Sequence, residues 1–355
     1  MESLRRIIIV SLILLISILF LTYHVNAQTS ESFGLIMIRE DGSIQCDSIP
    51  STVSGVPIKQ EGEVYTLTDN IGSRGPGISI ARSGITLDGA GYTLEGMSGG
   101  VDDSAKGLTF SYEIEGVTVK DLHVTHFATG IHLTDSSENF FVGNNVSDNV
   151  YNGFYFFGSC CNNTLSQNTI ANNTRWGIIF VGDELPYGFP ATGNEVFNNV
   201  IEKNGWERQT VSGYGMKDDY GAGIWLWAAV DNLFYGNKFV SNAQQVFVFD
   251  DGINIWSKTL PVGGNYWSDY SGVDADEDGI GDSQYIIGNA NYDSYPLIVK
   301  AQEEIPTETP AEDIPSETDD TDQTSDFPFE YIIGVAVAVI AIIILAVFIL
   351  KKNKT

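Results

Sequence analysis

The sequence predicts an all-β fold, a right-handed parallel β-helix, with an N-terminal signal peptide and a C-terminal transmembrane helix. Three observations lead to this prediction. A strand-like pattern recurs along the middle of the chain, Asn and Gly separate its copies, and both ends of the chain are strongly apolar. No middle segment shows the sustained 3.6-residue apolar period of an amphipathic helix.

Each copy of the repeat starts with an apolar anchor, has Asn or Leu three residues later, and has a second apolar residue two residues after that. The anchors are Val119, Phe141, Leu165, Val196 and Phe234, and an earlier, degraded copy begins at Leu87. The anchors are 22, 24, 31 and 38 residues apart. So short a unit fits one coil of a three-stranded solenoid, since a leucine-rich repeat would need a dense Leu consensus that the chain lacks.

A second phrase, mostly Gly-apolar-x-apolar, follows most anchors after eleven or twelve residues. Its alternation has the two-residue period of a strand. We therefore expect inward side chains to stack on those of neighbouring coils, and equivalent asparagines to form a hydrogen-bonded ladder. The expected ladder positions are Asn139, Asn163, Asn194 and Asn232, and also Asn144, Asn168, Asn199 and Asn237.

The two ends predict secretion and membrane anchoring. Arg5 and Arg6 precede a short apolar run and a Val-Asn-Ala cleavage motif, so residues 1–27 are predicted to be a signal peptide, with an uncleaved anchor as the alternative. Residues 331–350 carry no charge, are long enough to cross a bilayer, and are followed by lysines. This asymmetry places residues 351–355 in the cytoplasm and the folded part outside the cell.

Between these ends we predict four segments. Residues 28–84 form an N-terminal β cap or lead-in, 85–263 the parallel β-helix, and 264–300 a C-terminal cap; residues 301–330 are an acidic stalk rich in Pro and Thr. The chain has a formal net charge of −28 at pH 7. That charge excludes a nucleic-acid binder that works by neutralising phosphates.

Five segments of the middle resemble secreted β-helix repeat proteins of the NosD type, which are abundant in archaea. They are Ile85 to Gly96, Ile38 to Ser43, Val64 to Ile71, Gly264 to Tyr270, and the acidic loop with Tyr295-Pro296-Leu297. The resemblance covers residues 35–300 and implies a surface-located β-helix. It does not imply one activity, because family members are described as copper-related, carbohydrate-related or simply surface proteins.

An acidic loop in the predicted C-terminal cap has the spacing of a calcium-binding loop. Carboxylates at its positions 1, 3, 5 and 9 with Gly at position 6 match the first part of an EF-hand loop, although position 12 is Tyr285 rather than Glu. The predicted Ca²⁺ ligands are Asp274, Asp276, Asp278, Ile280 and Asp282. Asp293 is a further candidate ligand, and a solvated acidic turn is the alternative.

The histidines and cysteines give little support for copper. His123 and His132 fall on successive strands and therefore on different faces of the coil, so they are not expected to share a metal ion. Cys160 and Cys161 are adjacent, and a disulfide between neighbouring residues would be strained. Free cysteines are therefore expected, with a bond from Cys46 to one of the pair as the alternative.

The third residues of the second phrases predict an outward column of side chains, because neighbouring coils stack about 4.8 Å apart. They are His132, Tyr155, Ile179, Trp225 and Phe247. Such a face would stack on sugar rings, unless the insertions 181–195 and 202–222 cover it. The predicted ligand-binding residues are Tyr155, Trp225 and Phe247 on the column and Trp206, Tyr214, Asp218 and Asp219 in the insertion.

The sequence thus predicts a membrane-anchored β-helix outside the cytoplasm that binds glycans, a surface-layer protein or another cell-surface component. A carbohydrate-active enzyme on the same scaffold is the first alternative, and a copper-handling protein is the second. Asn145, Asn162 and Asn172 begin N-x-S/T sequons on or near predicted turns and are candidate glycosylation sites.

Overall fold

The computed structural model describes residues 32–97, 105–182, 189–205, 221–288 and 290–298. The predicted signal peptide (1–27), stalk (301–330), transmembrane helix (331–350) and cytoplasmic tail (351–355) lie outside these ranges. The described residues are all-β and contain no α-helix. Within them, no helix has the length and apolar character needed to cross a membrane.

Most of the described strands form successive coils of three. The first three strands are β1 (Ile36–Ile38), β2 (Ile44–Cys46) and β3 (Ile58–Glu61). Coils one to three hold β4 (Val64–Leu67), β5 (Ile71–Ser73), β6 (Ile78–Ile80), β7 (Thr86–Asp88), β8 (Thr93–Gly96), β9 (Lys106–Phe110), β10 (Thr118–Lys120), β11 (His123–Thr125) and β12 (Thr129–Thr134). Coils four and five hold β13 (Phe140–Val142), β14 (Asn145–Ser147), β15 (Asn152–Phe157), β16 (Thr164–Ser166), β17 (Thr169–Ala171) and β18 (Trp176–Val181).

The remaining strands complete two more coils and a cap. They are β19 (Ala191–Thr192), β20 (Glu195–Phe197), β21 (Val200–Glu202), β22 (Ala222–Trp227), β23 (Ala229–Val230), β24 (Leu233–Tyr235), β25 (Lys238–Val240), β26 (Val246–Val248), β27 (Tyr266–Trp267), β28 (Tyr285–Gly288) and β29 (Asn291–Asp293). The first coil, β4 to β6, lies inside the segment 28–84 that the sequence analysis treats as a lead-in.

Three long sheets run along the stack of coils, and each coil contributes one strand to each sheet. The first sheet has the order β24-β20-β16-β13-β10-β7-β4-β3, and the second has the order β27-β25-β21-β17-β14-β11-β8-β5. The third, here called the nine-stranded sheet, has the order β2-β1-β6-β9-β12-β15-β18-β22-β26. Strands from successive coils pair in parallel, which is the arrangement of a parallel β-helix.

The predicted anchors stack directly on one another in the interior. Val119 pairs with Phe141, Phe141 with Leu165, Leu165 with Val196, and Val196 with Phe234, in register. All five side chains are fully buried. The degraded copy is a genuine coil, since Leu87 pairs with Val119. The core is therefore a column of apolar side chains repeated from coil to coil.

Asparagine ladders run along the stack where strands meet. Two of the three were predicted for their first four members, and the structure adds a fifth to each: Asn139-Asn163-Asn194-Asn232-Asn254 and Asn144-Asn168-Asn199-Asn237-Asn265. The third, Asn149-Asn173-Asn204-Asn242, was missed although its members all lie eight residues after an anchor. Almost all of these side chains are buried.

Asn168 shows how the side-chain amide of a ladder asparagine makes all of its hydrogen bonds. Its Oδ1 accepts from the backbone N–H of Asn144 at 2.9 Å and from the Nδ2 of Asn144 at 3.0 Å. Its Nδ2 donates to the carbonyl of Phe141 and to the Oδ1 of Asn199, each at 2.9 Å. All the hydrogen-bonding capacity of the buried amide is used, so its desolvation is offset by four bonds.

The residue before a ladder asparagine makes the turn. The positive φ belongs to that preceding residue, as at Gln167 (φ 58°), Asn198 (φ 55°) and Gly236 (φ 64°). A Cβ on Gly236 would lie 2.3 Å from the Oδ1 of Asn198 in the coil below, so this corner requires glycine. The ladder asparagine is thereby turned inward.

We expect Asn168→Leu to lower the free energy of unfolding by about 4 kcal/mol or more, because it leaves several buried polar groups unpaired at about 1 to 3 kcal/mol each. Urea denaturation followed by circular dichroism measures this loss. Asn145→Leu is the matched control, because Asn145 is exposed on β14. An equal loss in both variants would contradict a stabilising role for the ladder.

Candidate functional site

The predicted outward column exists on the nine-stranded sheet. His132 pairs with Tyr155, Tyr155 with Ile179, Ile179 with Trp225, and Trp225 with Phe247. The structure therefore brings Tyr155, Trp225 and Phe247 onto one face. The predicted partners Trp206, Tyr214, Asp218 and Asp219 lie outside the described residues.

The column is not an open aromatic face. Ile179 and Trp225 are each only 3% exposed, and Tyr155 and Phe247 are half-buried. Ile179 and Trp225 form a second apolar cluster with Trp176 and Ala222, outside the coils. Sugar stacking on the face of Trp225 therefore does not fit this arrangement, because its ring is already packed against protein.

A second outward column carries the exposed aromatic surface, and the sequence analysis missed it. It consists of Thr134, Phe157, Val181, Trp227 and Phe249, the fifth residue of each second phrase. Phe157 is 44% exposed and Phe249 is 45% exposed. The ring of Trp225 lies 5.8 Å from that of Phe249, so the buried and exposed columns touch.

A third outward row, also missed, is more polar. It consists of the residues that precede the Gly of the second phrases: Lys106, Thr129, Asn152, Trp176 and Ala222. Their pairing across β9, β12, β15, β18 and β22 sets them side by side along the stack. Hereafter this set is called the polar row. The sequence contains the pattern that predicts this row, because each member directly precedes the Gly of its second phrase.

Two polar atoms in the polar row have no partner among the described residues. Asn152 is 6% exposed and Trp176 is 7% exposed. The Nδ2 of Asn152 donates to the Oγ1 of Thr129 at 3.1 Å, but its Oδ1 accepts nothing. The Nε1 of Trp176 likewise donates to nothing. A buried acceptor and a buried donor thus lie unpaired on adjacent coils.

Cationic groups flank these atoms. The guanidinium of Arg175 lies 4.0 Å from the centre of the Trp176 ring, a cation–π distance. The Nζ of Lys106 lies 3.2 Å from the Nδ1 of His132. Burial, and then the Lys106 charge, lower the pKa of His132 to about 3, so its imidazole is neutral at pH 7.

The Lys106 contact also fixes the tautomer of His132. An ammonium can only donate hydrogen bonds, so Nδ1 must be the acceptor and the proton lies on Nε2. The imidazole packs edge-on against Tyr155, with ring centres 5.0 Å apart. His132 therefore holds the end of Lys106 in place without supplying a counter-charge.

The acidic loop has the form of a cation site. Ligand atoms of Asp274, Asp276 and Asp278 all lie within 4.8 Å of one another. Asp274 accepts from the backbone N–H groups of Asp278 and Gly279 at 3.0 and 2.9 Å, which folds the loop around it. Asp282 accepts from Ala275 N–H at 2.9 Å, and Ile280 N–H donates to Asp278 at 2.8 Å.

The suggestion that Asp293 completes this loop is wrong. Asp293 is fully buried and ends the second ladder, where one oxygen accepts from the backbone N–H of Asn265 at 2.7 Å and from the indole of Trp267 at 2.9 Å. Burial raises the pKa of its carboxyl group. Tyr285, at loop position 12, stacks on Trp267 with ring centres 4.2 Å apart, so it belongs to the cap.

Histidine and cysteine side chains form no shared centre within the described ranges. His123 lies on β11 and His132 on β12, as predicted, and the three cysteines are free. Burial raises the pKa of the Cys160 thiol to about 12, so it stays protonated at pH 7. Copper favours nitrogen and sulfur ligands, whereas the group of three ligating side chains found here consists of carboxylates.

The three candidate glycosylation sites are accessible. Asn145, Asn162 and Asn172 are all exposed, and the last two occupy turn positions with φ of 54°. Each precedes a buried residue, so the side chain of the acceptor points away from the core. Attachment of a glycan at these positions stays a prediction.

Comparison with known proteins gives two bacterial relatives, each called a probable ABC transporter binding protein NosD. The one from Pseudomonas aeruginosa is 32% identical over 126 residues, which cover 35% of this chain and 27% of that protein. The one from Stutzerimonas stutzeri is 36% identical over 108 residues, which cover 29% and 22%. The chain thus matches about a quarter of each relative, and the resemblance to archaeal members stays a prediction.

Two solved structures are distant likenesses. The catalytic domain of a GH87 alpha-1,3-glucanase is 14% identical, with 57% of each chain covered and a TM-score of 0.27. A DFA-IIIase from Arthrobacter chlorophenolicus is 12% identical, with 56% of this chain and 63% of that chain covered and a TM-score of 0.23. Likenesses at these TM-scores carry no argument about this protein.

A family model described as periplasmic copper-binding protein (NosD) matches residues 63–272, a span that includes every coil of the stack. Because this match covers more than half of the chain and its coils have the predicted repeat, the protein belongs to the NosD family.

Proposed function

We propose that this protein is a β-helix protein located outside the cytoplasm that binds carbohydrate on the outer face of its nine-stranded sheet. The observation that carries the proposal is the unpaired, buried pair of polar atoms in the polar row, the Oδ1 of Asn152 and the Nε1 of Trp176. The description of the family as periplasmic supports a location outside the cytoplasm.

A sugar hydroxyl has the chemistry that this pair lacks. It donates one hydrogen bond and accepts others, so it complements an acceptor on one coil and a donor on the next. Both atoms are covered in the free protein, so a hydroxyl reaches them only when the side chains that cover them move aside. A buried polar group left unpaired costs about 1 to 3 kcal/mol, and a bound hydroxyl would recover part of that cost. Polar groups placed among aromatic walls are also typical of small-molecule sites.

Aromatic surface for the apolar faces of sugar rings lies on the same sheet as the polar row, with the Tyr155 column between them. Phe157 and Phe249 are the exposed members, and Tyr155 and Trp227 lie half-buried between them and the core of the cluster. This assignment replaces the stacking role that the sequence suggested for Trp225. Tyr155 and Phe247 remain in the proposed surface, because both keep part of their ring exposed.

Copper handling is less well supported. The family description names copper, but within the described ranges the group of three candidate ligands is the hard-oxygen set Asp274, Asp276 and Asp278. Oxygen ligands in that spacing suit Ca²⁺. We propose that this loop binds a structural Ca²⁺ ion, with Asp282 and the main chain at Ile280 as the further ligands.

We also propose that the predicted transmembrane helix, 331–350, anchors the protein in the cell membrane after removal of the signal peptide. The support is the uncharged 20-residue span and the lysines that follow it. The acidic stalk, residues 301–330, would then connect the β-helix to the anchor. Glycans or a surface-layer protein would be the partners within its reach.

We expect Asn152→Leu to weaken saccharide binding at least tenfold, about 1.4 kcal/mol, because it removes the unpaired acceptor. The free energy of unfolding should change by less than about 1 kcal/mol, since the variant also removes a buried unpaired group. A glycan array followed by calorimetric titration of the bound glycan measures the first effect, and urea denaturation measures the second.

Asn145→Leu, on the second sheet, is the matched control and should bind as the wild type does. Binding of no glycan by the wild-type protein would overturn the proposed function. If Asn152→Leu bound the glycan with unchanged affinity, the binding site would lie elsewhere on the protein. Turnover of a polysaccharide would favour the enzyme alternative.

Calcium should raise the melting temperature by about 5 to 10 °C when its concentration is 100 times the dissociation constant, since this excess contributes about 2.7 kcal/mol. Asp276→Asn should abolish most of that rise. Asp148→Asn, at an exposed turn elsewhere, should leave it intact. A melting temperature that neither calcium nor chelator changes would refute the calcium site.

Full-length protein should fractionate with membranes and resist extraction by high salt, whereas a chain that ends at residue 330 should be released. Western blotting of the fractions measures this. The same result for both chains would contradict anchoring by residues 331–350.

A further inference from the structure

We propose that the sugar recognised by this face bears a carboxylate, and that Lys106 is the residue that binds it. The inference rests on the proposed carbohydrate-binding function and names the class of its ligand. The polar row would then bind the carboxylate of an acidic sugar at its Lys106 end and sugar hydroxyls at its Trp176 end.

Lys106 differs from the other described lysines. Lys59, Lys120, Lys203 and Lys258 each pair with a carboxylate, and Lys238 is exposed to water. Lys106 is half-buried and no carboxylate of the described residues reaches it. Its one polar contact is with His132, which is neutral. Among the residues that the structure describes, Lys106 is therefore a partly desolvated cation without a counter-ion.

This arrangement is unexpected in so acidic a protein. The chain carries 46 Asp and Glu against 18 Lys and Arg, so carboxylate partners are plentiful. Burial lowers the pKa of Lys106, because water no longer stabilises the charged form as well. An anion beside the ammonium would reverse that penalty, and charge-assisted hydrogen bonds are about twice as strong as neutral ones.

The neighbouring group suits a carboxylate as well. Thr129 lies next to Lys106 on the following coil. Its Oγ1 already accepts a hydrogen bond from Asn152, so its hydroxyl proton remains available to donate. One carboxylate can accept from the Lys106 ammonium and the Thr129 hydroxyl together, since its two oxygens offer about four acceptor sites.

The polar row places the group that would bind a carboxylate far from the groups that would bind hydroxyls. From Lys106 to Trp176 there are three steps between coils, or about 14 Å at 4.8 Å per step. The charged donor lies at one end, and the unpaired Asn152 acceptor and Trp176 donor lie toward the other. A ligand that uses the whole row therefore needs an acid group separated from its hydroxyl groups.

His132 positions the ammonium group of Lys106. Its neutral Nδ1 accepts from Lys106 and holds the ammonium against the face of the sheet. Tyr155 restrains the imidazole from the next coil. Because His132 remains neutral down to about pH 3, it does not repel the ammonium across the ordinary pH range.

The test uses the full chain and paired oligosaccharides. The probes are tetramers of glucuronic, galacturonic and mannuronic acid, each beside its carboxyl-reduced neutral counterpart, with a sulfated galactan tetramer as a further anion. We expect the wild type to prefer at least one acid over its neutral counterpart by tenfold or more. Lys106→Met should bind both members of that pair with the affinity of the neutral one, and Lys238→Met should keep the preference.

The outcomes distinguish the two proposals. Equal binding of acidic and neutral members, or a preference that survives in Lys106→Met, would overturn the acidic-sugar inference and leave the proposed function standing. A preference for sulfated galactan alone would overturn the assignment of a carboxylate. Binding of no saccharide at all would overturn both. Thermal melting of each variant verifies that the folded state is retained.

Discussion

The asparagine ladders are the interaction on which the rest of the structure depends. An apolar column alone would tolerate sliding of one coil over another, because hydrophobic packing is not directional. Each ladder amide instead binds the backbone of one coil and the amide of the next at fixed positions, as Asn168 does. The amides are buried, so a shift in register would leave several polar groups unpaired. Because the ladders fix the register between coils, they also fix which outward side chains line up in columns. The polar row is one of these columns.

The ends of the ladders follow the same hydrogen-bonding logic. At the start, the backbone N–H groups of Val117, Leu122 and Phe127 donate to the first asparagines. At the end of the second ladder no further coil follows within residues 32–298 as far as they are described, so the last group needs only to accept. A carboxylate has that capacity, and Asp293 fills the position with bonds from Asn265, Trp267 and Tyr295. Its burial is thereby explained without a metal ion.

Much of this architecture could be predicted from the sequence, because the repeat fixes which residues stack. The anchors, two of the ladders and the Tyr155 column follow from spacing alone. The third ladder and the polar row could have been predicted in the same way. Each third-ladder asparagine lies eight residues after an anchor such as Phe141, and each polar-row residue directly precedes a second-phrase glycine such as Gly153. The burial of Trp225 was one of two alternatives that the sequence left open, since what packs outside the coils is not part of the repeat. Asp293 was misassigned because spacing gives no information about contacts between distant segments.

The proposed function requires a sugar hydroxyl to bind the unpaired Asn152 and Trp176 atoms. A crystal structure of the protein with a bound oligosaccharide tests it most directly. We expect a hydroxyl within hydrogen-bonding distance of both the Oδ1 of Asn152 and the Nε1 of Trp176. A saccharide bound elsewhere, or these two atoms satisfied by the protein's own residues, would contradict it.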